Sequence, residues 1–326
     1  MIDNTLTSWY ALVNPRAASG RTGENWAEAK ECLLDNGVKF EIHFAGEDGR
    51  GTDMVRRAAA AGRRHFIAIG GDGTVHEVLD GIARLCEDGN VSLSEFYLAV
   101  IPLGSGNDWI KTTKVPKNAR KAARLLVDGV VGRQDVVKIS NLDAAALPEK
   151  KVESVAYMSN VGGMGMDSQV CVRVNMLKEQ GKKGKWLYVK SLIYWILHRR
   201  HSECEVRCDG KTIFRGAYYA IAFGNGKYSG GGLRQTPDAI MDDGLLDVTI
   251  VPEVAMSRIA IYAPRLFGGS FNKIPIVTVA RGKKYYISPV EHTDEVVEAD
   301  GDIVGRPPVE LEVLPAQLNI IKAAEK

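Results

Sequence analysis

Short apolar runs alternate with segments of helical periodicity over the N-terminal part of the chain. The runs predict strands at residues 8–13, 38–44, 65–69 and 96–101, and the periodic segments predict helices at residues 22–35, 52–61, 74–86 and 117–127. Regular alternation of this kind builds a parallel sheet with helices on both faces. We therefore predict a doubly wound α/β domain, with bounds at residues 1–133.

The pattern changes after residue 133. Alternating apolar and polar positions, separated by Gly, Asp, Asn and Pro, predict strands at residues 135–139, 155–160, 203–208, 217–223, 246–251, 276–280, 284–287, 296–299 and 309–314. Many short strands with turn signals between them are typical of an antiparallel β-sandwich. We predict such a domain over residues 134–326, with a helical insertion at residues 172–200 and a C-terminal segment that could pack back on the first domain.

The composition and charge of the chain argue against several classes of protein. Of the 326 residues, 45% are hydrophobic and 25% are charged, and the formal net charge of +2 gives no global field that would attract nucleic acid. We find no signal peptide, and the most apolar stretch, residues 186–197, is too short to span a bilayer. The five cysteines show no paired spacing, as in proteins of a reducing compartment. We expect a cytoplasmic protein without a transmembrane segment that could touch a membrane peripherally; a homodimer is left open.

Three glycine-rich turns follow three of the predicted strands. They occupy residues 14–20, 70–74 and 102–108. The carboxyl ends of the strands are where an open α/β sheet binds its ligand, and glycine lets backbone N–H groups approach phosphate oxygens. Asp72 and Asp108 would repel a bare phosphate, unless a divalent cation stands between carboxylate and phosphate. The turns therefore predict a kinase.

These turns resemble the nucleotide-site motifs of the diacylglycerol kinase catalytic-domain family, which includes bacterial soluble lipid kinases and the related sphingosine kinases. The likeness continues, in the same order, through Asn160, Gly165-Met166-Asp167, Gly230-Gly231-Gly232, residues 237–247 and Asp300-Gly301-Asp302. The ordered set covers nearly the whole chain and is more specific than any single motif.

The resemblance implies a site for ATP and Mg²⁺. The residues implied at the nucleotide are Asn14, Arg21, Gly70, Gly71, Asp72, Gly73, Thr74, Val75, His76, Gly104, Ser105, Asn107 and Asp108. Asp72, Asp108 and Asp135 are implied as an acidic network around the catalytic metal. By pattern alone, Asp135 is equally well a surface carboxylate at the start of a strand.

The family places its catalytic base at the third residue of an Asp-Gly-Glu motif, and here that residue is Asp302. Its side chain is one methylene shorter than glutamate, so its reach falls by about 1.5 Å. Either the backbone compensates or Asp300 shares the catalytic role. The same three residues also fit an ordinary Asp-Gly hairpin turn, which would present the side chain.

Two further sites are implied by the resemblance. The Asp243 carboxylate and the backbone carbonyls of Ile240 and Leu245 would hold a second Mg²⁺ or Ca²⁺, although the residues alone also fit a simple turn. Asn160 and Asp167 would lie near the hydroxyl or amine of the lipid substrate, or else belong to flexible backbone between strands.

The function predicted is that of an ATP-dependent lipid kinase acting on a hydroxyl of a lipid, such as diacylglycerol or a sphingoid base, at a membrane surface. An NAD kinase-like enzyme is the first alternative, because it shares the Gly-Gly-Asp-Gly turn. A nucleotide- and lipid-binding regulatory protein with weakened turnover is the second. It is suggested by Asp302 and by departures from the family pattern at Arg21, Ala45 and Lys111.

Overall fold

The computed structural model describes residues 7–15, 22–46, 49–87, 89–104, 106–146, 150–182, 186–198, 202–255, 258, 261–262, 265, 268–291 and 293–324. The chain divides into two compact units. One comprises residues 1–135 with 316–326, and the other comprises residues 136–315. No helix in the described ranges is both long enough and apolar enough to cross a bilayer.

The first unit is an α/β domain. Its strands are β1 (Ser8–Val13), β2 (Lys39–Phe44), β3 (His65–Gly70) and β4 (Tyr97–Pro102), and its helices are α1 (Thr22–Asp35), α2 (Gly51–Ala60), α3 (Asp72–Cys86), α4 (Trp109–Thr113) and α5 (Ala119–Asp128), with a 3-10 turn at Leu93–Glu95. The strands follow the order β2-β1-β3-β4, and each pair is parallel. The end of the last strand, β15 (Val309–Lys322), adds a further parallel strand beside β4.

Alternation along the strands explains why helices cover both faces of this sheet. Trp9, Ala11 and Val13 on β1 belong to one apolar cluster with residues of α1 and α5. The intervening Leu12 is also fully buried, on the other face, where α2 and α3 pack against each other and contact β1. A strand buried on both faces has to be apolar throughout, as β1 is from Trp9 to Val13.

The second unit is antiparallel and β-sandwich-like. Its strands are β5 (Val130–Leu142), β6 (Val152–Met158), β7 (Val161–Gly165), β8 (Ser202–Cys208), β9 (Lys211–Gly224), β10 (Leu246–Pro252), β11 (Thr278–Gly282), β12 (Lys284–Pro289), β13 (Val297–Ala299), β14 (Asp302–Gly305) and the first part of β15. Strand β5 begins in the first unit and belongs to the second unit from residue 136 onward. Helices α6 (Met166–Glu179) and α7 (Trp186–Leu197) lie between β7 and β8, and 3-10 turns lie at Ala144–Ala146 and Phe271–Lys273.

The strands of this unit pair in the order β14-β13-β7-β9-β8-β12-β15, and each pair is antiparallel. Strand β10 pairs with β9 and with β11, and β5 pairs with β6. Every second residue of a strand points into one apolar core, as Leu246, Val248 and Ile250 do on β10. The predicted fold class, a doubly wound α/β domain followed by an antiparallel β-sandwich, is confirmed.

Candidate functional site

In the first unit, two glycine turns are hydrogen-bonded to each other at the carboxyl edge of the sheet. The carbonyl oxygen of Gly70, at the end of β3, accepts the backbone amides of Leu103 at 2.8 Å and Gly104 at 3.0 Å. The first turn is held nearby, because the amide of Asn14 donates to the carbonyl of Ile69 at 3.1 Å. The order of the parallel strands thus brings the second and third predicted turns together beside Asn14. Residues 16–20 of the first predicted turn lie outside the described residues.

The two turns touch backbone to backbone. A Cβ atom built on Gly104 would lie 2.4 Å from the Cα of Gly71, and one on Gly71 would lie 2.7 Å from the carbonyl oxygen of Gly106. No side chain fits in this contact, which is why both positions need glycine. A Cβ on Gly73 would meet nothing within 4 Å. The backbone in the first turn of α3 is therefore open to a ligand, and the N-terminus of a helix favours an anion.

Asp72 connects the two turns through its carboxylate. One oxygen accepts the backbone amide of Asp108 at 2.9 Å, and the other accepts that of Trp109 at 3.0 Å. The amide of Asp72 in turn donates to the carbonyl of Gly106 at 3.2 Å. Asp72 therefore organises the turn at residues 106–109, a role that the sequence did not reveal.

The remaining predicted nucleotide residues lie around this connection. Asp108 is buried, and its carboxylate accepts a hydrogen bond from the Lys111 ammonium at 2.5 Å. The Asn107 side chain donates to the Gly104 carbonyl at 2.5 Å. The side chains of Thr74, Val75 and His76 are buried in the first turns of α3. Arg21 and Ser105 lie outside the described residues.

Asp135 is fully buried at the point where β5 leaves the first unit. Its neighbour Gln134 is also buried and accepts a hydrogen bond from the Trp109 indole N–H at 3.0 Å, which ties α4 to β5. Within the described ranges, no three His, Cys, Asp or Glu side chains converge closely enough to hold a metal by themselves. Asp72 and Asp108 nevertheless carry the oxygen donors that Mg²⁺ prefers, and a carboxylate oxygen that accepts one hydrogen bond keeps a second lone pair.

In the second unit, the hairpin at residues 300–302 is held from two sides. The Asp300 carboxylate accepts hydrogen bonds from the Ser159 amide and hydroxyl at 2.7 and 2.8 Å, and from the Asn160 amide at 2.9 Å. Asp300 has a positive φ of 52°, a conformation that costs free energy unless contacts of this kind stabilise it. Both oxygens of Asp300 are thus used to build the hairpin, and Asp302 is exposed at the start of β14.

Helix α6 holds the same hairpin from the other side. The Gly301 carbonyl accepts hydrogen bonds from the Cys171 thiol at 2.9 Å and from the side-chain Nδ2 of Asn175 at 3.2 Å. The Gly301 backbone amide donates to the Glu298 carboxyl at 3.1 Å. The carboxylate of Asp302 is therefore presented to solvent on a rigid turn.

Glu298 belongs to a buried acidic pair that sequence reasoning missed. It lies on β13 opposite Gly163, and a Cβ built on Gly163 would lie 3.0 Å from the Cβ of Asp167. Burial, followed by the negative charge of Asp167, raises the pKa of Glu298 well above its ordinary value. Burial raises the pKa of Asp167 to about 7, although a hydrogen bond from Gln235 opposes the shift. No local pattern in the sequence marks Glu298 as buried.

Asp167 also lies at the wall of an apolar pocket within the second unit. The empty volume of the pocket, including space that opens to solvent, is about 850 Å³. Aliphatic and aromatic side chains make up most of the lining, among them Leu192, Ala222, Leu233, Phe271 and Ile274. The polar side chains of Asp167 and Gln235 are hydrogen-bonded to each other at 2.5 Å, and the second oxygen of Asp167 is buried with no hydrogen-bond partner.

Asn160, the other predicted substrate residue, has mainly an organising role in the structure. Its side-chain amide donates to the carbonyl of Tyr228 at 2.9 Å, and its backbone carbonyl accepts the amides of Asn225 and Gly226. It thereby joins the turn after β6 to the loop that carries Gln235. Asn160 and Asp167 thus contact the same part of the second unit, and Asp167 is the one that lines the pocket.

The predicted second metal site has a different set of contacts. One carboxylate oxygen of Asp243 accepts the backbone amide of Leu245 at 3.1 Å, and the other is paired with the Arg281 guanidinium. Ile240 is exposed. The Arg281 guanidinium pairs with both Asp243 and the buried Asp247, so it already supplies the positive charge that a divalent cation would bring to these carboxylates. Arg281 is a further residue that the sequence did not single out.

Two family models match the chain, one in each unit. The model described as diacylglycerol kinase catalytic domain matches residues 8–139, and the model described as YegS C-terminal NAD kinase beta sandwich-like domain matches residues 160–322. Together they define the class of protein, the diacylglycerol kinase-like lipid kinase family. The chain belongs to this family, in which a diacylglycerol kinase catalytic domain is followed by a YegS-type C-terminal domain.

Individual relatives agree with the family. A protein named "Probable lipid kinase YegS-like" from Xanthomonas euvesicatoria pv. vesicatoria is 28% identical over 317 residues, covering 96% of this chain and 95% of that protein. A diacylglycerol kinase of Mycobacterium tuberculosis is 26% identical over 313 residues, covering 96% and 94%. The crystal structure of a diacylglycerol kinase from Bacillus anthracis str. Sterne has the same fold, with a TM-score of 0.69, 21% identity, and coverage of 97% of this chain and 96% of that one.

Proposed function

We propose that the protein is an ATP-dependent lipid kinase that transfers the γ-phosphoryl group to a lipid hydroxyl. The observation that carries the proposal is the apolar pocket of the second unit, whose wall includes the hydrogen-bonded pair Asp167 and Gln235. A long apolar lining with a few polar groups suits a molecule with a hydrocarbon chain and a small polar head. A hydroxyl of that head can donate to the buried Asp167 oxygen that has no hydrogen-bond partner.

The first unit supplies a fitting place for the phosphates of the nucleotide. The open backbone at Gly73 and the N-terminus of α3 suit an anion, and the contact between Gly71 and Gly104 keeps side chains out of the way. Asp72 and Asp108 are the residues that would hold Mg²⁺, which would neutralise charge on the transferred phosphoryl group.

Asp302 is the residue proposed as the general base. It would accept the proton of the lipid hydroxyl while that oxygen forms its bond to the γ-phosphorus and the bond from phosphorus to the ADP oxygen breaks. Asp300 does not share this role in our proposal, because both of its oxygens hold the hairpin. The anchoring of Gly301 by Glu298, Cys171 and Asn175 fixes where the shorter Asp302 side chain presents its carboxylate, and a fixed position favours catalysis.

The test is a transfer assay with ATP labelled in its γ-phosphate. The purified protein is incubated with magnesium and separately with diacylglycerol, a sphingoid base, ceramide, phosphatidylglycerol and NAD. We expect label in one lipid product that partitions into organic solvent. Labelled NADP would instead support the NAD kinase alternative, and no labelled product under any condition would overturn the proposal.

A matched pair of variants separates the chemistry from general effects. Asp302→Asn should lose the lipid product, whereas Asp294→Asn should retain it, because Asp294 is an exposed aspartate of the same unit with a side chain that is 82% exposed. Equal activity in the two variants would remove Asp302 from the mechanism.

A further inference from the structure

Arg281 lies directly opposite Asp247 in the antiparallel pair of β10 and β11. Its guanidinium Nε donates to the Asp247 carboxylate at 3.0 Å, and its Nη2 donates to the Asp243 carboxylate. One side chain therefore joins a strand residue to the loop that precedes the strand. The planar fork of arginine is suited to two carboxylates at once in a way that the point charge of lysine is not.

At Asp243, a divalent ion would have to compete with the Arg281 guanidinium for the same carboxylate. Oδ1 accepts the Leu245 backbone amide at 3.1 Å, and Oδ2 is bound to Arg281. The backbone group of Leu245 that faces this carboxylate is thus its N–H donor. A divalent ion at Asp243 would also lie beside a permanent positive charge, which would repel it.

Arg281 neutralises a carboxylate that is buried. The Asp247 side chain is only 3% exposed and the Asp243 side chain is 24% exposed, while the Arg281 guanidinium is the cation that pairs with both. Burial raises the pKa of Asp247, and the hydrogen bond from Arg281 opposes that rise. Removing the guanidinium would leave the buried Asp247 without its cation, which is a costly arrangement.

We infer that the Arg281 guanidinium is a built-in cation that closes the loop at residues 240–247, so that this loop is assembled without a divalent metal. The role is structural and belongs to the second unit alone. It does not depend on the proposed kinase activity, and it can be tested without nucleotide or lipid.

The first test compares the metal response of the natural protein with that of Asp243→Asn. Thermal unfolding is followed in EDTA and in millimolar Mg²⁺ or Ca²⁺, without nucleotide, and binding of the same ions is measured by calorimetry. We expect the two proteins to respond alike, because any ion bound elsewhere affects both. A metal-dependent rise in the unfolding temperature that disappears in Asp243→Asn would overturn the inference.

The second test removes the built-in cation. Arg281→Met should lower the unfolding temperature in EDTA by several degrees, and Ca²⁺ should restore part of the loss by taking the place of the guanidinium between Asp243 and Asp247. The double variant with Asp243→Asn should lose this rescue. Arg207→Met is the matched control, since the exposed Arg207 side chain pairs with Glu205 on the same strand. Rescue by Ca²⁺ in that variant as well would count against a specific site. If Arg281→Met does not fold, the first test, which compares the natural protein with Asp243→Asn, still decides whether the loop needs a divalent metal.

Discussion

The carboxylate of Asp72 accepts the backbone amide of Asp108 at 2.9 Å, so an aspartate in one glycine turn fixes the position of an aspartate in the next. The same carboxylate accepts the amide of Trp109. The two acids proposed to face the nucleotide phosphates are therefore one connected unit, and a substitution at position 72 affects both.

Asp72→Ala should reduce phosphoryl transfer and also destabilise the first unit. Two hydrogen bonds to a charged acceptor are lost, worth about 1.5–3 kcal/mol each, and about 3 kcal/mol lowers the unfolding temperature of a domain of this size by roughly 6–12 °C. The unfolding temperature and the rate should be measured together. Asp53→Ala, at an exposed aspartate in the first turn of α2, is the control and should change neither by much.

Asp72→Asn separates the two roles of this residue. The amide oxygen can still accept one of the two backbone amides, but the side-chain NH2 cannot accept the other, so part of the stability should remain, whereas the charge is lost entirely. We expect the rate of phosphoryl transfer to fall strongly, while the unfolding temperature falls by less than in Asp72→Ala. A fully active Asp72→Asn would mean that the charge at position 72 has no part in the reaction.

Asp302→Asn should lower the rate constant of transfer about 100-fold or more, the usual contribution of a general base, with no change in unfolding temperature because the side chain is exposed. Asp302→Glu restores the longer side chain of the family motif and should retain activity. If Asp302→Asn is as active as the natural protein, the base is another group. A very large gain in Asp302→Glu over a near-zero starting rate would favour a regulatory protein.

The buried acids predict a specific pH dependence of stability. The pKa of Asp167 is raised to about 7 in the folded protein, so the protonated form is favoured by folding. Its contribution to stability is fully present below the unfolded pKa, near 4, and is lost as the pH rises to about 7. The unfolding temperature of Asp167→Asn, measured relative to the natural protein, should therefore rise between pH 5 and pH 8.

Glu310→Gln is the control of opposite sign for this measurement. The pKa of Glu310 is lowered from its ordinary value because hydrogen bonds from Lys284 and Lys150 outweigh the effect of burial. The stability that it contributes is present above pH 5 and is lost only in more acidic solution. The difference in unfolding temperature between Glu310→Gln and the natural protein should stay constant between pH 5 and pH 8. If the corresponding difference for Asp167→Asn also stays constant over this range, the raised pKa of Asp167 is contradicted.

The apolar pocket predicts a variant that separates the two substrates. Ala222 lines the pocket from β9, and Ala222→Phe would fill part of the space where a hydrocarbon chain is proposed to lie. The KM for the lipid should rise about tenfold or more, while the KM for ATP stays the same. Ala217→Phe, on the same strand but not in the pocket lining, should affect the lipid KM less. Equal effects on both KM values would argue against the pocket as the lipid site.

Local pattern is enough for strands β1–β4 and for helices α1, α2, α3 and α5 of the first unit. It is not enough for α4, for the end of β15 or for all of the second unit. The helix predicted at residues 22–35 has the bounds of α1, because amphipathic periodicity and the Asn36-Gly37 stop are local signals. Strand β7 was not predicted, because its glycines resemble flexible backbone. In the structure a Cβ on Gly162 would lie 2.4 Å from the Phe223 ring. Those glycines are required by close packing, which only the folded chain reveals.

The candidate site divides in the same way. The glycine turns and the Asp-Gly-Asp hairpin can be located from the sequence, since each is a local motif. The hydrogen-bond partners of the carboxylates cannot be predicted from the sequence. Asp72 accepts backbone amides 36 and 37 residues away, and Asp300 accepts the amide of a turn residue 140 residues earlier. Arg281 and Glu298 depend on strand register, and register is set by tertiary packing.

The final strand has a consequence for how the protein is made. Residues 316–326 belong to the first unit, where Asn319 pairs with Tyr97 on β4 and Ile321 lies in the apolar cluster with Trp9. On the ribosome, a nascent chain that has already produced every glycine turn still lacks this last strand. The first unit can reach its finished form only after residue 322 has been made, so a chain released before that point would be incomplete in both units.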